Sequence, residues 1–282
     1  MKNLALRTLT GVLYVAALVG CALGGELPFF VFFLVVGALS TWEFITNVNA
    51  HDDATANRFI ATAATVAFMA AFHECCHPDH ITYAHFLPFV VTLLYLLVSE
   101  LYRNEPHPLK NWAYAFAAQL YIALPLSMIY LLGIRYDPAQ GLTTYNGWLP
   151  LSIFFFLWTS DTGAYLCGSA FSRFVPAKLF PRISPNKSWI GSIGGGLLVV
   201  LLAVALNYLL PEVRLPLPVW IGLGLTVCVF GTWGDLVESL FKRQLGIKDS
   251  GKILPGHGGM LDRFDSAFLA IPAAVVYLQF AA

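Results

Sequence analysis

Charge is what this chain lacks most. Only 11% of its 282 residues are Asp, Glu, Lys or Arg, while 58% are hydrophobic and the mean hydropathy is +0.70. That balance excludes an ordinary soluble domain. The 16 Lys and Arg are matched by 16 Asp and Glu, so no basic field remains to attract nucleic acid. Cysteine is scarce as well, at five residues. Cys21, Cys167 and Cys228 fall in apolar runs as packing residues, and Cys75 and Cys76 are adjacent, so no disulfide framework is read. No internal repeat or low-complexity tract breaks the chain.

What the chain has instead is a succession of apolar runs, each able to cross roughly 30 Å of hydrocarbon as a helix of about 20 residues. The fold class expected is all-α: a polytopic integral membrane protein with about nine transmembrane helices. They centre on 12–23, 27–44, 60–71, 86–98, 115–132, 149–167, 193–210, 219–236 and 267–280. Placing the N-terminus in the cytoplasm and the C-terminus outside puts 14 of the 16 Lys and Arg on the cytoplasmic side, leaving Arg135 and Arg214 outside, as the positive-inside rule requires. The Leu18-Val19-Gly20-Cys21 run imitates a lipoprotein cleavage box but reads as part of a first span. One membrane domain is expected, with 1–150 as scaffold helices that could supply dimer contacts and 151–282 as the catalytic helices.

The sparse charge is concentrated in one stretch, 234–266. It holds Asp235, Glu238, Asp249, Asp262 and Asp265, with Lys242, Arg243, Lys248, Lys252 and Arg263. Asp235, Glu238, Ser239 and Lys242 follow at i, i+3, i+4 and i+7, one face of a helix. Gly246, Gly251, Pro255, Gly256, Gly258 and Gly259 then demand a loop. A second helix is expected after Gly259, carrying Asp262, Asp265 and Ser266. Backbone N–H groups in such a loop suit an anion, whereas the carboxylates would repel one. A divalent cation between them removes the conflict, and Mg2+ characteristically takes one or two carboxylates plus substrate phosphates. Asp235 and Asp262 are the candidate ligands. A basic juxtamembrane loop would explain the bases alone, not the interleaved acids or His257. Gly246–Lys252 imitates the start of a P-loop, but Ile253 stands where a hydroxyl is required.

Elsewhere, Asp161 interrupts an apolar span at a cost on the order of 3 kcal/mol and should face a polar interior or wet cavity. Ser184, Asn186, Lys187 and Ser188 form a polar entrance to the next span, suited to a phosphate. Glu43 is read as an interfacial acid, with a functional role left open. His73-Glu74-Cys75-Cys76-His77, with His80 and His85, offers zinc- or copper-type ligands but is read as a polar loop.

The run carried by Ser239, Lys242, Arg243, Lys248, Asp249, Pro255, Gly256, His257, Gly258, Gly259, Asp262, Arg263 and Asp265 resembles the signature of phosphatidate cytidylyltransferases, the CDP-diacylglycerol synthases. Gly234–Glu238 and the Asp161-Thr162-Gly163-Ala164-Tyr165 run resemble the family too, so the likeness extends over roughly 158–266. Asn186 and Ile190 depart from its pattern, which has Lys and Glu there. The resemblance implies a membrane enzyme joining CTP and phosphatidic acid into CDP-diacylglycerol with release of pyrophosphate. It also implies Mg2+, with K+ as a second ion, and a homodimer in the membrane lipid. On that reading Asp235, Asp262, Lys248 and Arg263 are catalytic, the first two holding the metal. Asp161, Ser184, Lys187, Ser239, Lys242, Arg243, Asp249, His257, Gly258, Gly259 and Asp265 bind substrate. Two other readings stay open: a CTP-dependent polyprenol or lipid-alcohol kinase, and a membrane transporter with charged gates. The site is expected on the cytoplasmic face of a bacterial-type inner membrane.

Overall fold

The structure is a computed structural model describing residues 2–77, 82–137, 141–171, 173–174, 176–253, 256 and 258–281. Within these residues the chain is an all-α polytopic membrane protein. Its long helices are α1 (Lys2–Leu23), α2 (Glu26–His51), α3 (Arg58–Glu74), α4 (Leu87–Tyr102), α5 (Pro108–Gly133), α6 (Trp148–Phe171), α7 (Trp189–Leu209), α8 (Leu217–Gln244) and α9 (Leu261–Ala281). Each run read as a span from the sequence lies on one of them. Six described segments are long and apolar enough to cross a bilayer: α2, α4 with its 3-10 lead-in, α5, α7, α8 and α9. Among the other three, α3 has 17 residues, and α6 carries Thr159, Ser160, Asp161 and Thr162 in its middle.

The chain divides into two compact units, one formed by Met1–Gly147 with Gln244–Phe264, the other by Trp148–Arg243 with Asp265–Ala282. The first unit is built around α2. Phe29 and Phe33 are fully buried, and Phe33 meets the ring of Phe264 edge-on at 6.1 Å between centroids. The buried hydroxyls of Thr41 and Thr65 stand 2.9 Å apart. Gln119 donates through Nε2 to the Ala61 carbonyl at 3.0 Å. Gln119 begins a π-helical turn, Gln119–Ala123, inside α5. Irregular backbone at membrane depth persists where protein surrounds it, and Gln119, Ile122 and Ala123 are all buried.

The second unit packs α6 against α7 through small residues. A methyl group on Gly195 would lie 2.6 Å from the Ser160 carbonyl oxygen, so only glycine allows the two backbones to approach this closely. Lipid tails are as apolar as leucine, so such close packing, not water exclusion, joins helices in a membrane. The polar entrance to α7 is an antiparallel hairpin of β3 (Lys178–Phe180) and β4 (Ser184–Ser188), with Phe180 opposite Ser184. Its composition reads as a turn because two edge strands tolerate Pro185. Ser188 ends the hairpin and caps α7, accepting from the Gly191 N–H at 3.2 Å. In the first unit β1 (Ile134–Asp137) and β2 (Leu142–Tyr145) form a second hairpin.

Replacing Gly195 by valine should lower the thermal midpoint of the detergent-solubilised protein, since forced overpacking costs about 1–3 kcal/mol. Valine at Gly196, where a methyl group meets nothing, should leave the midpoint near that of the parent.

Candidate active site

The stretch 234–266 is shared between the units, and each part is organised from within its own unit. In the first, the chain leaves α8 at Gln244 and makes a loop before α9 begins at Leu261. Two buried carboxylates hold this loop. Asp262, 8% exposed, lies in the first turn of α9. Its Oδ2 accepts from the backbone N–H of Ser250 (2.8 Å), the N–H of Gly259 (2.8 Å) and the hydroxyl of Ser250 (3.0 Å). Glu43 of α2, 5% exposed, accepts through Oε2 from the N–H of Leu261 at 2.9 Å and faces the Ser250 hydroxyl at 3.3 Å. The single Ser250 proton thus lies between two acids. One turn along α2, Asn47 donates through Nδ2 to the carbonyls of Ser250 (2.6 Å) and Glu43 (2.9 Å).

Glycine is required where these acids meet the loop. A methyl group on Gly258, which has φ 85°, would stand 2.5 Å from Asp262 Oδ2, and one on Gly259 would collide with Glu43 Oε2 and the Ser250 hydroxyl. Lys248, Asp249 and Arg263 are exposed on this unit. His257 and Pro255, singled out in the sequence, lie outside the described residues.

In the second unit the expected face of α8 forms. Ser239 donates to Asp235 Oδ1 at 3.2 Å, and Lys242 pairs with the fully buried Glu238. Arg243 is exposed nearby on the same helix. Lys187 of β4 reaches α8, its Nζ 2.5 Å from Asp235 Oδ2 and 3.4 Å from the Thr232 carbonyl. Gly234 lets α9 lie against α8 backbone to backbone, since a methyl group there would be 2.6 Å from the Asp265 carbonyl oxygen. That contact sets Asp265 within electrostatic reach of Asp235, Lys242 and Asp161. Asp161 opens into a cavity of about 210 Å³ lined also by Ser160, Asn186, Lys187, Ser188 and Thr232. This polar-lined opening is the kind of surrounding its position in an apolar helix calls for. Ligand pockets usually enclose about 300–1,000 Å³, so the cavity has room for a phosphate-sized part of a ligand. Ser184 is half-buried at the start of β4.

Asp235 and Asp262 therefore belong to different units, and each has partners there that spacing alone does not reveal. The donor set fits a hard divalent ion: Asp161, Asp235 and Asp265 offer carboxylate oxygens, the ligands Mg2+ prefers, beside two lysines suited to phosphate. Sequence reasoning placed Glu43 at the interface; the structure buries it against the loop. Ser250 carried no signal beyond its place inside the signature.

Such a protein is a multi-pass membrane protein with paired acids and lysines gathered around glycine-rich backbone. The chain belongs to the cytidylyltransferase family: the family model described as "Cytidylyltransferase family" matches residues 5–281. It is 30% identical over 275 residues to a Bacillus subtilis protein named phosphatidate cytidylyltransferase, covering 96% of both chains. A Staphylococcus aureus protein of that name is 48% identical over 130 residues, 45% of this chain and 48% of its own. A Haemophilus influenzae one is 36% identical over 171 residues, 59% of this chain and 56% of its own. In these last two matches the chain spans about half the length of the curated relative.

Stranding the buried Leu261 N–H by Glu43→Ala should cost about 1–3 kcal/mol. Tryptic cleavage after Lys248 and Lys252 in the detergent-solubilised protein should then speed up at least about fivefold. Glu43→Gln, which keeps an acceptor oxygen, should retain most of the protection.

Proposed function

We propose that this chain is a CTP:phosphatidate cytidylyltransferase, joining CTP and phosphatidic acid into CDP-diacylglycerol with release of pyrophosphate. The observation that carries the reading is the match over 96% of both chains to the Bacillus subtilis protein of that name. The geometry supports it: the polar residues of the second unit surround a phosphate-sized cavity, and the signature loop of the first unit is held by two buried acids.

The reaction forms a bond between a phosphate oxygen of the lipid and the α-phosphorus of CTP, and breaks the bond from that phosphorus to the bridging oxygen of pyrophosphate. The nucleophile is already an anion, so the protein's task is alignment and charge neutralisation rather than proton removal. Asp235 in the second unit and Asp262 in the first are each proposed as an Mg2+ ligand, and the ion when bound would neutralise phosphate charge. K+ as a second ion belongs to the same proposal. Lys187 holds the Asp235 carboxylate in one orientation and lines the cavity, where its ammonium can meet a phosphate. Lys242, fixed by Glu238, and the exposed Arg243, Lys248 and Arg263 add positive charge for phosphate oxygens. Ser184, Ser239, Asp249, Asp265 and His257 complete the proposed substrate contacts. Gly258 and Gly259, also proposed as substrate contacts, let the loop backbone approach closely, the Gly259 N–H being held by Asp262 Oδ2. The proposal places the site on the cytoplasmic face of a bacterial inner membrane, where CTP is available, in a homodimer.

CTP labelled on either phosphate tests the reading in detergent micelles with phosphatidic acid. The α-label should enter the lipid and the γ-label should leave as pyrophosphate. Transfer of the γ-label to lipid would make the protein a kinase and overturn the proposal. Asp262→Asn retains an acceptor oxygen for the loop but loses the charge. It should reduce kcat by about 10²–10³ while tryptic protection of the loop persists; near-normal turnover removes the metal role of Asp262.

A further inference from the structure

A second polar cluster lies in the first unit, at the other end of α2 from the signature loop. Glu26 opens α2, His73 lies in the last turn of α3, and His77 follows just beyond it. The Nε2 atoms of His73 and His77 stand 2.9 and 2.7 Å from the same carboxylate oxygen, Glu26 Oε1. One ligand atom from each residue lies within 4.8 Å of the others. His73 is 9% exposed, and neither ring nitrogen makes an aligned hydrogen bond, despite the short approach of Nε2 to Glu26. A buried imidazole that faces carboxylate oxygens without an aligned hydrogen bond to them is costly. It is the arrangement expected where a ring nitrogen directs its lone pair at a cation.

We propose that Glu26, His73 and His77 form a binding site for a zinc-type divalent transition metal, with two imidazole nitrogens and one carboxylate oxygen as ligands. Three such ligands with a fourth position left to water make a known kind of Zn2+ site. The nitrogen donors select against Mg2+, which prefers an all-oxygen shell. Around Zn2+ at 2.0–2.2 Å, tetrahedral ligand atoms stand about 3.3 Å apart, so the cluster has to open by roughly half an ångström. Its surroundings position the ring: Phe30 lies 4.2 Å and Tyr130 5.3 Å from the His73 ring, centroid to centroid. Glu74 Oε1 is 3.6 Å from His73 Nδ1, where a carboxylate commonly stands behind a metal-bound imidazole to fix its tautomer. Glu26 and His77 retain 29% and 22% side-chain exposure, which leaves access for an ion.

The site is separate from the proposed chemistry. Glu26 and Glu43 are both on α2, and 17 residues of helix separate them by about 25 Å. A metal at Glu26 therefore ties the start of α2 to the end of α3 and takes no part in phosphoryl chemistry. The inference does not depend on the proposed activity.

The test is metal binding by the full chain in detergent, stripped of metal and then titrated with Zn2+ or Co2+ in excess Mg2+. The parent should take up one tight equivalent, show the intense visible absorption of four-coordinate Co2+, and gain thermal stability in proportion to Zn2+ saturation. His77→Gln, at the half-exposed position, should lose the band and the stabilisation yet keep the helical circular dichroism of the parent. A parent without the band or tight Zn2+ uptake overturns the proposal; Glu26 and the two histidines are then only an ion-paired cluster. Equal uptake by His77→Gln overturns it as well. The parent titration decides the matter even if the variant fails to fold.

Discussion

A carboxylate taken out of water must find donors or a cation, and this constraint organises the first unit of the protein. Glu43 and Asp262 are both buried: Asp262 accepts from the backbone N–H groups of Ser250 and Gly259, and Glu43 from the N–H of Leu261 with the Ser250 hydroxyl beside it. Isolated burial of such a charge is prohibitive, whereas burial with two or three aligned donors is tolerated. The glycines at 258 and 259 belong to the same constraint, because any side chain there collides with the oxygen atoms that secure the turn. A glycine-rich segment that would otherwise sample many conformations is thus held by electrostatics from α2 and α9.

The second unit meets the same demand differently. Its acids lie beside lysines and a cavity. Lys187 arrives from the β3–β4 hairpin to pair with Asp235, Lys242 pairs with Glu238 within one helix, and Asp161 opens into the cavity. The close approaches at Gly195 and Gly234 allow α6–α7 and α8–α9 to bring these side chains within reach. Small residues at helix crossings therefore serve the chemistry indirectly: they set how near the polar groups can come.

Much of this was legible beforehand. Long apolar runs announced the helices, since a span in hydrocarbon must satisfy its own backbone. The spacing on α8 placed Asp235, Glu238, Ser239 and Lys242 on one face, and there the Ser239–Asp235 and Lys242–Glu238 pairs form. The start of α9 after the last loop glycine followed from the same local rules. The hairpin at 178–188 was not legible, because Pro185 and Asn186 read as loop residues and a two-stranded ribbon has no burial pattern to reveal it. The burial of Glu43 was not legible either, because an acid near a span end has the same spacing whether it meets water or a loop.

The sequence by itself determined what is local: which segments are helices, where charge is concentrated, and which side chains share a helical face. Each of these depends on residues within a turn or two of one another and on the bilayer as solvent. Only the tertiary structure decided the long-range partners. Glu43 meets Ser250 across 207 positions, Asn47 meets it across 203, His77 meets Glu26 across 51, and Lys187 finds Asp235. Helical periodicity carries no information over such separations. They are set by how closely packed helices and a folded-back loop place buried polar groups, each of which must find a partner among whatever lies beside it.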